Sequence, residues 1–288
     1  MAEIDKYIDT LKKYNTNLDD KEISEKVNEI INKKFSQNNN KEVYKRIYSC
    51  LDLTSLNATD TREDIWKLAE QINDFEGSTD IQNVAAICVY PNFVETVKEA
   101  LTANVKIASV AGGFPSSQTF QEVKIAETAL AIASGADEID IVLNLGYFFD
   151  ENYEELAEEI DEIKDTCRDA KLKVILETGA LKSASNIMKA SLLALYSGAD
   201  FIKTSTGKGY EGATLEAAYV MCSAIKEYTQ KTGRKVGFKA SGGVSSTEDA
   251  VKYYTIVKEV LGDDYLNNEF FRIGASRLAN NLLTSIED

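Results

Sequence analysis

Two lysines lie inside stretches of sequence that are otherwise largely apolar, and they carry the clearest chemical potential in the chain. Lys203 lies within Phe201–Ser205, and Lys239 lies within Lys235–Ala240. A lysine that faces a core needs a carboxylate partner or a chemical purpose, because an isolated buried charge is costly. Asp140, in a third apolar stretch, can be that partner. These residues therefore form either a buried ion pair that only fills the interior, or a reaction centre.

The chemistry that suits them is the formation of a Schiff base. A free lysine has a pKa near 10.4 and is mostly protonated at neutral pH. Burial and a second ammonium nearby both disfavour the charged form, so they supply the neutral amine that attacks a carbonyl. In this interpretation one of Lys203 and Lys239 is the nucleophile and the other tunes its pKa. Asp140 then helps to move protons, together with a bound water.

The composition excludes several common kinds of catalytic site. The chain has 288 residues with 32 basic and 47 acidic side chains, a formal charge of −15, and no histidine. Without histidine there is no Ser-His-Asp triad, no Cys-His pair and no imidazole ligand for a metal. The acidic balance argues against a nucleic-acid partner and against an anionic membrane surface. We expect no metal and no cofactor, because Schiff-base chemistry needs neither.

The rest of the composition predicts a cytoplasmic protein. No stretch approaches the ~18 uninterrupted apolar residues of a membrane span, and the first residues lack an apolar signal core. The cysteines, which are far apart and form no CxxC motif, are predicted to be reduced core thiols. They are Cys50, Cys88, Cys167 and Cys222.

The elements that must position the lysines recur regularly from residue 41 onward. An extended, β-branched stretch is followed by a turn and an amphipathic helix, eight times over. The strands are apolar on both sides, as in parallel strands that are buried on both faces. Eight units in the 248 residues after position 40 (288 − 40) predict a (β/α)8 TIM barrel, which takes about 250 residues. An open doubly wound sheet is the other candidate, and the even spacing favours the barrel. The predicted strands are Ile47–Leu53, Val84–Tyr90, Val105–Val110, Glu138–Leu143, Leu172–Glu177, Phe201–Ser205, Lys235–Ala240 and Phe270–Gly274.

Residues 1–40 are predicted to be a helical extension ahead of a catalytic barrel domain at 41–288. Apolar residues recur at helical spacing in two stretches, and a polar run follows at 36–40. These apolar residues are Ile4, Ile8, Leu11, Ile23, Val27, Ile30 and Ile31. We expect two short amphipathic helices and a polar linker, with a role in packing or in oligomerisation. A homo-oligomer is therefore left open.

The ends of the last two predicted strands have the composition of a phosphate cradle. Gly242-Gly243 follows the seventh strand, and Gly274 and Ser276 follow the eighth and open the last helix. In (β/α)8 barrels the active site lies at the C-terminal ends of the strands, and these two loops often bind phosphate through backbone N–H groups. Lys208 and Arg277 could add positive charge. The expected ligand is a small phosphorylated molecule.

Two other patterns are weaker. Residues 207–212 spell the dinucleotide fingerprint G-x-G-x-x-G, but no mononucleotide-binding half surrounds them. Lys208 within this run suits a substrate phosphate at least as well. Cys88 could be a nucleophile, but without a histidine or an adjacent cation in the sequence a reduced core thiol is favoured.

Taken together, the strand-end motifs resemble the deoxyribose-phosphate aldolase family. The resemblance runs from about residue 47 to residue 280, motif by motif in the same order. The motifs are LDLTSLN at 51–57, AAICVYP at 85–91, GADEID at 135–140, ADFIKTSTG at 199–207 and VGFK at 236–239.

The resemblance implies a class I aldolase that interconverts 2-deoxy-D-ribose 5-phosphate with acetaldehyde and D-glyceraldehyde 3-phosphate. It implies that Lys203 forms the imine, that Lys239 is the neighbouring cation and that Asp140 transfers protons. The substrate-binding residues that we expect are Thr54, Cys88, Tyr90, Thr206, Gly207, Lys208, Gly242, Gly243, Gly274 and Ser276. The chain departs from the family pattern at Ala240, Ser241 and Arg277, all of which are expected at the phosphate end.

Two other functions are compatible with the same residues. One is a different Schiff-base lyase on the same barrel, such as a transaldolase-like enzyme. The other is a non-catalytic protein that binds sugar phosphates. The presence of all three residues of the proposed imine site argues against the second.

Overall fold

The computed structural model describes residues 6–288. Eight parallel strands close into a barrel in the order of the chain, because β1 pairs with both β2 and β8. The strands are β1 Leu51–Thr54, β2 Ala86–Val89, β3 Lys106–Val110, β4 Glu138–Val142, β5 Lys171–Ile175, β6 Phe201–Lys203, β7 Gly237–Ser241 and β8 Phe271–Ala275. The predicted (β/α)8 TIM barrel is confirmed, and the open sheet is excluded.

Helices surround this barrel, and several of them begin and end at the residues that the sequence indicates. The helices are α1 Lys6–Leu11, α2 Asp20–Asn38, α3 Lys41–Tyr48, α4 Arg62–Phe75, α5 Val94–Ala100, α6 Gln121–Ser134, α7 Leu145–Phe149, α8 Tyr153–Cys167, α9 Thr178–Leu181, α10 Ala184–Tyr196, α11 Leu215–Thr232, α12 Thr247–Leu261 and α13 Leu278–Glu287. Thr61 and Asp64 form a reciprocal capping box at the start of α4. Gly135 ends α6 with a left-handed φ of 114°. No helix within residues 6–288 is long and apolar enough to cross a bilayer.

The core has an outer and an inner part. Most buried apolar side chains lie between the strands and the surrounding helices. Inside the barrel, a small apolar cluster fills the side formed by β2 and β3, together with Leu56 from the loop after β1. It consists of Leu56, Ala86, Cys88, Ala108 and Val110. The other side of the barrel interior is charged, and this division decides where chemistry can occur.

The first predicted strand is partly wrong. Residues 47 and 48 close α3, and β1 begins at Leu51. Apolar residues at Val43 and Ile47 are four positions apart, so they lie on one buried face of α3. A short apolar run is compatible with a helix or with a strand. Residues 47 and 48 are helical because they continue the helix that begins at Lys41.

The N-terminal extension contains a longer helix than expected. α2 has 19 residues, and its apolar side packs on α11 and α12 on the outside of the barrel. Residues 36–38, which the polar composition predicts to be linker, form its last turn. Asn38 is buried there and donates a hydrogen bond to Thr255 Oγ1 at 3.0 Å. Ile4, from the first predicted helix, lies outside the described residues.

Candidate active site

The C-terminal ends of the strands open into a cavity of about 290 Å³. It is bounded by the loops that follow β1, β6, β7 and β8. Nine of the predicted site residues line it: Thr54, Lys203, Thr206, Gly207, Lys208, Gly242, Gly243, Gly274 and Ser276. Arg277 lines it as well. The two predicted parts, imine site and phosphate cradle, therefore share one cavity.

Asp140 and Lys239 lie beneath this cavity, and Asp140 joins the two lysines by accepting a hydrogen bond from each. Lys203 Nζ donates a hydrogen bond to Asp140 Oδ2 at 2.8 Å. Lys239 Nζ donates to the same oxygen, also at 2.8 Å. Of these three residues only Lys203 lines the cavity. The geometry brings together the three residues predicted to be catalytic and gives Lys203 the access that a nucleophile requires.

These three residues belong to a larger network inside the barrel, which we call the buried charge cluster. Its members are connected by ion pairs, and none is more than 3% exposed. They are Asp52, Glu138, Asp140, Lys173, Lys203, Lys239 and Arg272. Strand register explains the arrangement, because Asp140 pairs with Lys173 on β5, and Lys203 on β6 pairs with Lys239 on β7.

Sequence reasoning missed four members of this cluster. Lys173 Nζ donates to Asp140 Oδ1 at 2.8 Å and lies 2.6 Å from Glu138 Oε2. Arg272 bridges Asp52 and Glu138 through its two terminal nitrogens, at 2.6 Å and 2.8 Å. The sequence did contain a signal for Glu138. Side chains two residues apart in a strand lie on the same face, so Glu138 is on the face of β4 that carries Asp140. The same alternation could have been traced on the other strands.

The cluster gives its two central lysines opposite titration behaviour. Burial, reinforced by the ammonium of Lys239, lowers the pKa of Lys203 despite the attraction of Asp140. Burial also opposes the charge of Lys239, but the carboxylates of Asp140 and Asp52 outweigh it and raise the pKa of Lys239. Lys239 therefore keeps its proton, and Lys203 is the lysine that loses its proton more easily.

The charge balance of the cluster also favours one neutral base. The cluster holds three carboxylates and four basic groups. Burial alone would raise the pKa of Asp140, but the ammonium groups of Lys173, Lys203 and Lys239 hold it well below its usual range. The acids therefore stay ionised. With every base protonated, the cluster would carry one uncompensated positive charge, which is costly in a buried site. A neutral Lys203 leaves three charges of each sign.

Cys88 and Tyr90 are the two predicted substrate-binding residues that do not line the cavity. Cys88 is fully buried in the inner apolar cluster, and burial raises the pKa of its thiol. It is therefore no thiolate nucleophile, in agreement with the preference for a core thiol. Tyr90 is half-buried and packs against the same cluster, edge-on to Phe114.

The loops after β6 and β7 pack backbone to backbone. Gly242 has a left-handed φ of 86°, and its Cα lies against Gly207 and Gly212. A Cβ on Gly212 would overlap the carbonyl of Gly242. Ser241 is one of the positions at which the chain departs from the family pattern. Its Oγ donates a hydrogen bond to Ser205 O at 2.5 Å and so connects β7 to the residues that follow β6. Ala240 is fully buried and does not line the cavity.

Comparison with known proteins gives a single result. Residues 47–258 match the model of the DeoC/LacD family of aldolases. The protein named deoxyribose-phosphate aldolase from Homo sapiens is 41% identical over 244 residues, which is 81% of this chain and 77% of the human protein. The Bos taurus protein of that name is 41% identical over 242 residues, 80% of this chain and 76% of its own length. The solved structure titled as the unique tetrameric structure of deoxyribose phosphate aldolase from Aeropyrum pernix superposes with a TM-score of 0.67 at 26% identity, covering 85% of this chain and 92% of that one.

Proposed function

The chain belongs to the DeoC/LacD family of aldolases, and from this membership we propose that it is a deoxyribose-phosphate aldolase whose Schiff base forms on Lys203. The reaction is the reversible cleavage of 2-deoxy-D-ribose 5-phosphate to acetaldehyde and D-glyceraldehyde 3-phosphate. The enzyme is an aldehyde-lyase of class I. Relatives from Homo sapiens and Bos taurus that carry this name cover most of the chain.

One observation carries the assignment of Lys203. Its amine lines the cavity, and beneath it Lys239 holds the same oxygen of Asp140 at the same distance of 2.8 Å. One carboxylate thus serves three ammonium groups, including Lys173. Burial and the ammonium of Lys239 lower the pKa of Lys203 against the attraction of Asp140. The pKa values of Lys173 and Lys239 are raised by their carboxylate partners, so Lys203 gives up its proton most readily.

Cleavage begins when neutral Lys203 Nζ attacks C1 of the open-chain sugar phosphate. The carbinolamine loses water, and an iminium ion forms on Lys203. A base then takes the proton of the C3 hydroxyl, the C2–C3 bond breaks and its electron pair moves to the iminium as an enamine. Glyceraldehyde 3-phosphate leaves. Protonation of the enamine carbon and hydrolysis of the new iminium release acetaldehyde and restore the amine.

Asp140 and Lys239 are the groups that move protons in these steps. Both lie in contact with Lys203 Nζ or with its hydrogen-bond acceptor. Lys239 keeps a proton that it can donate, and ionised Asp140 can accept one, directly or through a water molecule. The fixed positive charges of Lys173 and Lys239 also hold Asp140 in its ionised form.

The phosphate end of the substrate lies toward the loops after β6, β7 and β8. Lys208 and Arg277 both line the cavity and each supplies a cation. The backbone of Gly242, Gly243 and Gly274 lines it as well. Glycine permits a ligand to approach main-chain N–H groups closely. This end of the cavity is therefore suited to an anion, although the chain as a whole carries a charge of −15.

A coupled assay tests the proposed reaction. Purified full-length protein with 2-deoxyribose 5-phosphate should release glyceraldehyde 3-phosphate and acetaldehyde, each detected by its own dehydrogenase, and chelation with EDTA should not change the rate. A transaldolase-like enzyme would instead transfer a larger donor fragment and release no acetaldehyde. A binding protein would show a ligand-induced rise in melting temperature without any product. Either of these results would contradict the proposal.

A cytoplasmic homo-oligomer is also part of the proposal. The relative from Aeropyrum pernix is described as tetrameric. In this chain Val123 and Leu130 on α6, and Phe120 just before it, are exposed. The four cysteines are free and buried, which suits a reducing compartment. Light scattering of the full-length protein would test the oligomer, and a monomer at all concentrations would contradict it.

A further inference from the structure

Glu177 is a buried carboxylate beside the cavity that has no part in the steps above. It follows β5, is 3% exposed and does not line the cavity. Its carboxylate receives two hydrogen bonds, and both come from one residue. Thr206 Oγ1 donates to Oε2 at 2.5 Å, and Thr206 N donates to Oε1 at 3.2 Å. A buried carboxylate that is held by neutral donors rather than by a cation calls for an explanation.

The backbone of Glu177 provides a second observation. Its φ of 55° and ψ of 61° lie in the left-handed region, which residues with a side chain rarely adopt. Such residues persist only where the surrounding structure holds them, and they are concentrated at ligand sites. Here the next residue is held by a main-chain hydrogen bond from Thr178 N to Thr204 O at 3.0 Å. The turn after β5 is therefore fastened to the end of β6.

A chain of hydrogen bonds connects Glu177 to the loop after β6, and each donor in it points toward Glu177. A carboxylate can only accept, so the hydroxyl of Thr206 must point its proton at Glu177. The lone pairs of that hydroxyl are then free to accept from Lys208 N, at 3.0 Å. Gly207, between them, has a left-handed φ of 73° and completes a tight turn. Glu177 thus fixes the conformation of residues 206–208 without touching the cavity.

This turn carries the side chain that faces the phosphate end. Lys208 lines the cavity with Lys203, and its Nζ reaches across the mouth to donate to the carbonyl oxygen of Leu56. We propose that Glu177 is a positioning residue that fixes the turn at 206–208 and so aims Lys208 at the substrate phosphate. The inference rests on the proposed function, which defines the phosphate end.

The charge of Glu177 makes the proposal unusually easy to test, because two explanations predict opposite signs. By simple electrostatics, a carboxylate near an anion site repels the phosphate, so removing its charge would tighten binding. A positioning role predicts the reverse, because without its acceptor the turn loses the conformation that presents Lys208. The direction of the change in KM therefore separates the two.

The variant Glu177→Gln keeps the volume of the side chain but replaces one of its two carboxylate oxygens, which accept hydrogen bonds, by an NH2 group, which donates them. The full-length enzyme is assayed with 2-deoxyribose 5-phosphate and with unphosphorylated 2-deoxyribose. We expect KM for the phosphorylated sugar to rise about tenfold, the effect of one charge-assisted hydrogen bond. The value of kcat, and kcat/KM for the unphosphorylated sugar, should stay within about twofold. Glu211→Gln, an exposed position in the same loop, is the matched control and should change neither.

Three results would overturn the inference. These are an unchanged KM, a lower KM for the phosphorylated sugar, and an equal loss on both sugars, which would indicate only a structural role. If Glu177→Gln does not fold, Thr206→Val removes the same hydrogen bond at nearly constant volume and should raise the same KM. In the double variant the two effects should not add, because both act through one contact. A wild-type enzyme without activity on either sugar would instead defeat the proposed function, so the two failures are distinguishable.

Discussion

Replacing Lys239 by methionine should shift the pH dependence of the enzyme, and the distances in the buried charge cluster give the size of the shift. Lys203 Nζ and Lys239 Nζ each lie 2.8 Å from Asp140 Oδ2, so they are at most about 5.6 Å apart, the sum of the two distances. Methionine has nearly the volume of the lysine stem and carries no charge. Asp52 would keep its hydrogen bond from Arg272 at 2.6 Å, so the cluster retains a cation there.

The magnitude follows from the repulsion between the two ammonium groups. At this separation and an effective dielectric constant of about 20, two unit charges interact by about 3 kcal/mol. That energy corresponds to a change of about 2 in pKa. Without Lys239, the pKa of Lys203 should therefore rise by about 2, and Asp140 would attract Lys203 more strongly because it has one partner fewer. At any pH below both pKa values, the fraction of neutral amine should fall about a hundredfold.

The acid limb of kcat/KM reports this pKa, because kcat/KM follows the ionisation of the free enzyme. The measurement compares wild type and Lys239→Met over the range from about pH 5 to about pH 10. In the variant, activity at neutral pH should be low and should recover in part as the pH rises. Lys226→Met, which removes the same charge from the exposed face of α11, should leave the profile unchanged. A uniform loss of rate with no movement of the acid limb would refute the reasoning, because Lys239 would then act only as a proton donor.

Two further predictions concern stability. Nearby cations outweigh burial and lower the pKa of Asp52, Glu138 and Asp140, so their contribution to stability is complete above the unfolded pKa near 4 and is lost as pH falls below it toward the folded values. Urea midpoints should therefore drop between about pH 5 and about pH 3, and a constant midpoint would contradict the linkage. Val27→Ala, at a 2% exposed position of α2, should lower the free energy of unfolding by about 2 kcal/mol and leave kcat/KM unchanged. A loss of activity with no loss of stability would instead give the extension a part in the site.

The sequence could predict the barrel because its strands are unusually uniform. Parallel strands that are buried on both faces give continuous apolar stretches, and eight of these at even spacing leave few other folds. The first strand was placed too early because residues 47 and 48 are apolar in a helix whose buried face has the same composition. The length of α2 depends on the contact of Asn38 with Thr255, which lies 217 residues further along the chain. No local pattern contains such information.

The active site, like the fold, could be predicted from the sequence only in part. Lys203, Lys239 and Asp140 could be selected because each interrupts an apolar stretch. Lys173 was missed although it lies inside the predicted buried strand Leu172–Glu177. Lys171, two residues before it, is half-exposed and pairs with Glu269 near the surface, so a lysine at the start of β5 is no sign of a buried charge. Glu177 could not have been found at all. Its role depends on a left-handed backbone and on one hydrogen-bond partner that lies 29 residues away.

The central claim is that Lys203 forms the covalent intermediate, and one mass measurement tests it most directly. The full-length protein is treated with acetaldehyde and borohydride, which reduces an imine to a stable secondary amine, and is then digested and mapped. We expect a single reduced adduct on Lys203, no adduct in Lys203→Ala, and none on Lys239, which keeps its proton. An adduct on Lys239 in the wild-type protein, or an unmodified Lys203 in active enzyme, would contradict the claim.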